Sequence, residues 1–115
     1  MASTVVLGSP SGVRSARTPT VRGEGTSTVV VLRGESDFST TSVLSDVLSR
    51  VITLWSGDVV IDLADAEFID SSTVGVLAAA QESLDRQQRK LTFRSPSRLA
   101  ARVLQVFGLS DLIEA

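Results

Sequence analysis

Three hydroxyl side chains and a carboxylate stand side by side in the stretch Asp70-Ser71-Ser72-Thr73. An apolar run of strand length, residues 59–63, precedes this stretch, and residues 74–80 after it have the composition of a helix. The polar cluster is therefore predicted at the N-terminus of a helix. Hydroxyls there can cap the helix, act as nucleophiles or accept a group from another enzyme, and Asp70 can cap the helix and orient a neighbouring hydroxyl.

The residues needed to make these hydroxyls into a catalytic centre are missing. The chain has no His and no Cys, which excludes imidazole bases, thiol nucleophiles and the commonest zinc sites. Its only lysine is Lys90, and no acidic pair follows the first predicted strand to support a phosphoaspartate at Asp62. No glycine-rich phosphate loop is present. We therefore expect a protein that is not an enzyme and has no catalytic residue, metal or cofactor.

Size and charge narrow the class further. The 115 residues suit one domain, and 43% apolar with 21% charged side chains is ordinary globular usage. A net charge of -2 gives no basic field for direct nucleic-acid binding. The chain starts without a basic segment and has no apolar run of membrane-spanning length. We expect a cytoplasmic protein with no membrane contact, working as a monomer that pairs with its target.

The order of predicted elements gives the fold class. Residues 8–28, rich in Gly, Ser, Thr, Pro and Arg, are predicted to be a leader or surface loop, with an edge strand at 5–7. A strand at 28–33, ended by Gly34, begins a strand-helix-strand-helix-strand-helix series. Continuous apolar strands predict an α/β fold with a central mixed sheet of about four strands covered by helices. The predicted division is a leader at 1–26 and a domain at 27–115.

Apolar spacing predicts which face of each helix is buried. The second helix is expected at about 72–88, and Gly108 is expected to cap the third. The inner faces are predicted to carry Val43, Leu44, Val47, Leu48, Val51 and Ile52 in the first helix, Val74, Leu77, Gln81 and Leu84 in the second, and Leu99, Val103, Val106 and Phe107 in the third.

Five segments, in order and at compatible spacing, resemble the STAS domains, named for sulphate transporters and anti-sigma factor antagonists. They are Gly34-Glu35-Ser36-Asp37, Val60-Ile61-Asp62-Leu63, Phe68-Ile69-Asp70-Ser71-Ser72, Leu91-Thr92-Phe93 and the stretch from Val103-Leu104 to Gly108-Leu109. The resemblance covers residues 28–113. It implies a bacterial switch in transcription and stress response: an unphosphorylated antagonist binds an anti-sigma factor of the kinase-type ATPase class, and so releases a sigma factor.

Within that resemblance the phosphoacceptor corresponds to Ser72, with Ser71 as the alternative. Thr73 stands where the family usually has Gly and could itself be a target. The implied switch also involves a phosphoserine phosphatase. The alternative is a STAS module that senses a ligand or nucleotide, or serves as a scaffold, without phosphorylation. The residues predicted to support the acceptor are Asp70, Asp37, Asp62 and Thr73. The predicted partner interface consists of Phe38, Ser39, Ser71, Ser72, Thr73 and Val74. In the plainer interpretation, Asp37 caps the first helix and Asp62 is a polar strand end.

Overall fold

Five strands and three helices make up the part of the chain that the computed structural model describes, residues 4–6, 18–36 and 40–114. The strands are β1 (Thr4–Val6), β2 (Thr20–Glu24), β3 (Ser27–Ser36), β4 (Val59–Ile69) and β5 (Leu91–Arg94). The helices are α1 (Thr41–Leu54), α2 (Ser71–Asp85) and α3 (Arg98–Val106), and a 3₁₀ turn follows at Ser110–Leu112.

The strands form one mixed sheet in the order β1-β2-β3-β4-β5. The first three strands are antiparallel neighbours, whereas β3, β4 and β5 run parallel and are joined through α1 and α2. This arrangement confirms the predicted α/β class and its strand-helix order. The sheet has five strands rather than about four because β1 pairs with β2 at the edge. No helix in the described ranges is long and apolar enough to cross a bilayer.

The prediction of a loop throughout residues 8–28 is wrong for β2. Its single large apolar side chain, Val21, is fully buried, and the strand turns through Gly25 and Thr26 into β3. One apolar residue among polar ones is a weak strand signal, so β2 depends on backbone pairing with β3. The sheet thus includes residues on both sides of residue 26, and the domain boundary predicted there stays a prediction.

Helix α1 packs with the face that its spacing predicts. Leu44, Val47, Leu48 and Val51 are buried, and Val43 and Ile52 pack at the margin of the same cluster. Burying each large aliphatic side chain contributes about 1.5–3 kcal/mol. The stripe recurs at helical period without interruption, which is why its orientation could be predicted.

Strand β3 is buried on both of its faces. Val30 and Leu32 belong to the main core with the helices, whereas Val29 and Val31 form a separate cluster with Val60. This double burial accounts for the continuous apolar run that the sequence shows. The prediction that the central strands are covered is confirmed.

Gly34 does not end β3, contrary to the prediction. The strand continues to Ser36, and its pairing with β4 shifts register next to this glycine. Gly34 has φ +65°, a conformation that other residues adopt at a cost, so the strand bends here instead of stopping. Beyond the bend, β3 stays paired with β4, and Ser36 pairs with Ile69, the last residue of β4.

The last helix is rotated from its predicted orientation. Its buried residues are Ala100 and Leu104, whereas Leu99, Val106 and Phe107 are exposed. Residues four apart share a helix face, so Ala100 and Leu104 point inward together and Leu99 is turned away. Val103, which was also predicted to face inward, packs partly buried against the core. The predicted end is confirmed: the amide of Gly108 donates to Gln105 O, and that of Leu109 to Leu104 O.

Candidate functional site

The Asp70-Ser71-Ser72-Thr73 stretch lies at the junction between β4 and α2, as predicted. Asp70 is the N-cap residue and has an extended backbone, and its Oδ1 accepts a hydrogen bond from the Thr73 amide at 2.9 Å. This bond satisfies one of the amides that a helix start leaves without a partner, and such caps contribute about 1 kcal/mol. The helix begins where it does because a buried strand is followed directly by a capping side chain.

The same carboxylate oxygen holds the hydroxyl of Ser72. Ser72 Oγ donates to Asp70 Oδ1 across 2.7 Å, a short distance typical of a hydrogen bond to a charged acceptor. The bond fixes the direction of the hydroxyl proton, and places a negative charge beside the oxygen. Asp70 therefore both caps the helix and orients Ser72.

The three successive hydroxyls differ in depth. Ser71 is exposed, Ser72 is half-buried, and Thr73 is 0% exposed. Each residue of a helix is turned about 100° from the one before, so neighbours in sequence face different environments. An enzyme could reach Ser71 and Ser72 in this conformation, but not Thr73. The structure thus corrects the prediction that Thr73 could itself be a target.

Val74 needs a similar correction as an interface residue. It is 1% exposed and lies in the main core with Leu77. Of these four residues of the predicted interface, Ser71 and Ser72 present surface to solvent, whereas Thr73 and Val74 are buried. Asp37, Phe38 and Ser39 lie outside the described residues.

Asp62 does not join the site. It is the fourth of the 11 residues of β4 and pairs with Val31 of β3 and Arg94 of β5. Its Oδ1 accepts a hydrogen bond from the Ala64 amide at 2.9 Å. Ile69 lies seven positions further along the strand, roughly 20 Å away. Asp62 therefore cannot support Ser72 directly, because the strand runs well past the apolar segment that the sequence indicated.

The structure adds two features that the sequence reasoning missed. Phe68, two residues before the cap, is 41% exposed, and a large apolar side chain beside a polar site is a common anchor for a partner protein. Ser72 also lines a groove of about 350 Å³ between α1 and α2. The other residues lining that groove are Ser45, Leu48, Ser49, Ile52, Gly75, Val76, Ala79, Ala80 and Ser83.

The groove is lined mainly by small, uncharged residues, and small side chains let a partner approach the helix backbone closely. Alternation of Phe68 with Ile69 along a strand is the signal that could have identified Phe68 as outward-facing. Within the described ranges, no three acidic side chains are grouped so as to hold a metal ion. The arrangement suits recognition and modification by another protein.

Comparisons with known proteins agree with this geometry. The family model described as "Mlab, STAS domain" matches residues 20–114. An anti-sigma-B factor antagonist of Listeria monocytogenes is 33% identical over 86 residues, which is 74% of this chain and 75% of that protein.

Two solved structures have the same fold. The anti-sigma factor antagonist SpoIIAA in its unphosphorylated form superposes with a TM-score of 0.76 at 20% identity, over 84% of this chain and 85% of the other. An anti-sigma factor antagonist from Mycobacterium paratuberculosis gives a TM-score of 0.75 at 26% identity, over 84% and 81%.

Proposed function

Because this chain belongs to the STAS domain family, we propose that it is an anti-sigma factor antagonist controlled by phosphorylation of Ser72. In this proposal the unphosphorylated protein binds an anti-sigma factor of the kinase-type ATPase class and so releases a sigma factor for transcription. The observation that carries the proposal is the accessible Ser72 hydroxyl, held by Asp70 at the edge of the α1–α2 groove. Ser71 is the alternative acceptor.

The relatives support the binding role. The curated Listeria protein carries the name of an anti-sigma-B factor antagonist and aligns over three quarters of each chain. The mycobacterial structure, at 26% identity, is also of an anti-sigma factor antagonist. A protein that acts only by binding needs no catalytic group, in keeping with the lack of His and Cys.

Charge explains how one modification would change binding. A phosphoserine adds about -1.5 to -2 charges at neutral pH. At Ser72 that charge would lie beside the Asp70 carboxylate and at the edge of a groove lined by small neutral side chains. A partner packed into the groove would then have to bury two neighbouring negative charges. We therefore expect phosphorylation to release the partner while the core stays folded.

The proposal also covers the protein's cellular location, its oligomeric state and the process that it regulates. The protein would work in the cytoplasm as a monomer, and a phosphoserine phosphatase would restore binding. The regulated process would be a bacterial stress response. Sedimentation velocity of the free protein tests whether it is a monomer. The question matters because a dimer would bury part of the surface that could bind the anti-sigma factor.

The decisive experiment uses the kinase-type anti-sigma factor from the same genome. The protein is incubated with this kinase, Mg²⁺ and ATP, and mass spectrometry locates the phosphate. We expect modification at Ser72, abolished in Ser72→Ala and retained in Ser83→Ala, which alters another serine lining the groove. Calorimetry should show tight binding by the unmodified protein and binding weakened by roughly tenfold or more after phosphorylation.

Each arm can refute a separate part of the proposal. Phosphate found only on Ser71 would show that Ser71, and not Ser72, is the phosphoacceptor. Binding that is the same before and after modification would refute phosphorylation control. No binding to any kinase-type anti-sigma factor of that genome would favour the alternative of a sensing or scaffold module.

A further inference from the structure

Helix α3 exposes apolar side chains on a folded domain whose core is complete without them. Leu99 is 53% exposed, Val106 is 77% and Phe107 is 47%. The domain instead docks this helix through Ala100 and Leu104. Exposed apolar side chains that lie close together on one element are candidates for a contact surface.

Five of its residues form one outward strip. At 100° per residue they fall within an arc of about 120°, opposite Ala100 and Leu104. We call this strip the α3 outer surface, and it consists of Arg98, Leu99, Arg102, Gln105 and Val106.

The two arginines of this surface have no ion-pair or hydrogen-bond partner within the described part of the chain. Other arginines in the domain are engaged: Arg94 pairs with Glu24 and Glu114, and Arg89 binds backbone carbonyls. On a chain with a net charge of -2, Arg98 and Arg102 thus form a local positive site that faces solvent. Their charge is available to an incoming carboxylate.

A groove adjoins the surface. It measures about 670 Å³ and lies between α3 and the chain around the 3₁₀ turn. Arg98, Leu99 and Arg102 line it, together with Ala101, Gln105, Ser110 and Ile113. A groove lined by both apolar side chains and two cations suits an apolar anchor that is flanked by acidic residues.

We infer that the α3 outer surface is a second docking site, separate from Ser72, which binds an acidic amphipathic segment of a partner protein. The charge and the groove both favour this occupant. A membrane is less well matched, because lipid-binding segments typically use 4–8 basic residues and this helix has two. A two-fold contact between copies of the chain would oppose two positively charged surfaces, since such contacts pair the same surface on both molecules.

The test uses a fluorescein-labelled synthetic peptide in which leucines at helical spacing are flanked by glutamates. The matched control peptide has glutamine at every glutamate position. We expect the acidic peptide to bind in a salt-sensitive manner and the glutamine peptide to bind roughly tenfold more weakly or worse. Amide chemical shifts of ¹⁵N-labelled protein should change at residues 98–113 and not at 70–76.

Two double variants locate the site, Arg98→Glu with Arg102→Glu for the charge and Leu99→Ser with Val106→Ser for the apolar contact. Each should weaken binding of the acidic peptide by roughly tenfold or more. Arg86→Glu and Leu54→Ser alter an exposed arginine and a 72% exposed leucine elsewhere, and should leave binding unchanged. Because every altered side chain is exposed, circular dichroism should show folded protein in all four cases.

Several results would overturn the inference. They are equal binding of the two peptides, no effect of the arginine reversals, or shifts that map outside residues 98–113. Binding to phosphatidylglycerol vesicles but not to the acidic peptide would assign the surface to lipid. A dimer that Leu99→Ser with Val106→Ser abolishes would assign it to a second copy of the chain.

Discussion

Arg89 Nη1 donates a hydrogen bond of 2.9 Å to the backbone carbonyl of Ile52, 37 residues earlier in the chain. The same guanidinium donates to Trp55 O at 2.8 Å and to Gly57 O at 2.7 Å. Helix α1 has no basic residue in its own last turn. Arg89 lies beyond the end of α2 and supplies a positive charge at the C-terminus of α1. Its hydrogen bonds connect that terminus to the turn that leads into β4.

Replacing Arg89 should therefore destabilise the domain. Arg89→Ala leaves carbonyls of the α1 terminus without their donor, and we expect a loss of about 2 kcal/mol in the free energy of unfolding. Arg89→Lys keeps the charge but not the planar fork, so it should recover only part of the loss. Urea denaturation measures both, with Arg86→Ala as the control because the side chain of that exposed arginine donates to Ser83 Oγ and not to a backbone carbonyl in the described part of the chain. Equal losses for Arg86→Ala and Arg89→Ala would contradict the role.

Asp70 should be separable into its two functions. Asp70→Ala removes the helix cap and should lower the free energy of unfolding by about 1 kcal/mol. Asp70→Asn still offers an oxygen to the Thr73 amide, so stability should be nearly retained, while the charge beside Ser72 is lost. We expect Asp70→Asn to slow phosphorylation of Ser72 at unchanged thermal midpoint. A normal phosphorylation rate in Asp70→Asn would show that the charge is not needed.

Gly57 should not accept a side chain. It has φ +90°, and a Cβ there would overlap the backbone carbonyl of Thr26. We expect Gly57→Ala to destabilise the domain by about 2 kcal/mol or more, because both strain and overlap oppose it. Gly23→Ala is the matched control, since its Cβ would enter open space, and it should change stability by less than about 1 kcal/mol. Thermal unfolding of the two variants side by side gives the comparison.

Glu24 should give a pH-dependent contribution to stability. Its hydrogen bond with Arg94 and the nearby guanidinium charges hold the pKa of Glu24 below its ordinary value of 4.5. A carboxylate with a lowered pKa in the folded state stabilises that state above its unfolded pKa, and loses the contribution as pH falls through the folded pKa. Glu24→Gln should thus have a lower thermal midpoint than the parent at neutral pH. The gap should narrow as pH falls below 4.5 and close once pH has passed the lower, folded-state pKa; a gap that does not narrow on acidification would refute the assignment.

Salt provides a second check on the same pair. Arg94 Nη2 lies 2.8 Å from Glu24 Oε1, and both side chains are partly exposed. Exposed ion pairs weaken as ionic strength rises. The neutral-pH difference between the parent and Glu24→Gln should accordingly shrink in high salt. Arg50→Gln, which removes the separate pair with Asp46, should leave the Glu24 effect intact.

The sequence predicted those parts of the fold in which the spacing of apolar and polar residues allows one structure only. The stripe of α1 has a single apolar face, so only one orientation buries it. Asp70 was predictable as a cap because a polar side chain followed a buried strand. Helix α3 has apolar residues around most of its circumference, and the choice between Leu99 and Ala100 as the inward residue depends on how closely the helix approaches the sheet. That distance is a tertiary property.

Other features needed long-range information. Strand β2 owes its existence to pairing with β3 rather than to its own composition. The α1–α2 groove beside Ser72 depends on how two helices that are separated in the chain by β4 pack together. Asp62 and Asp70 both follow apolar residues along the chain, and only the full length of β4 shows that they are separate.

Under the proposed function, the graded depth of Ser71, Ser72 and Thr73 means that the structure of this protein contributes to the choice of the residue that is phosphorylated. Three adjacent hydroxyls are chemically similar, and an enzyme that recognised only their chemistry would have little reason to prefer one. The rotation of the helix removes Thr73 from reach, and Asp70 sets Ser72 apart from Ser71. In the proposed switch, discrimination that would otherwise have to be built into a kinase is therefore encoded at the start of one helix.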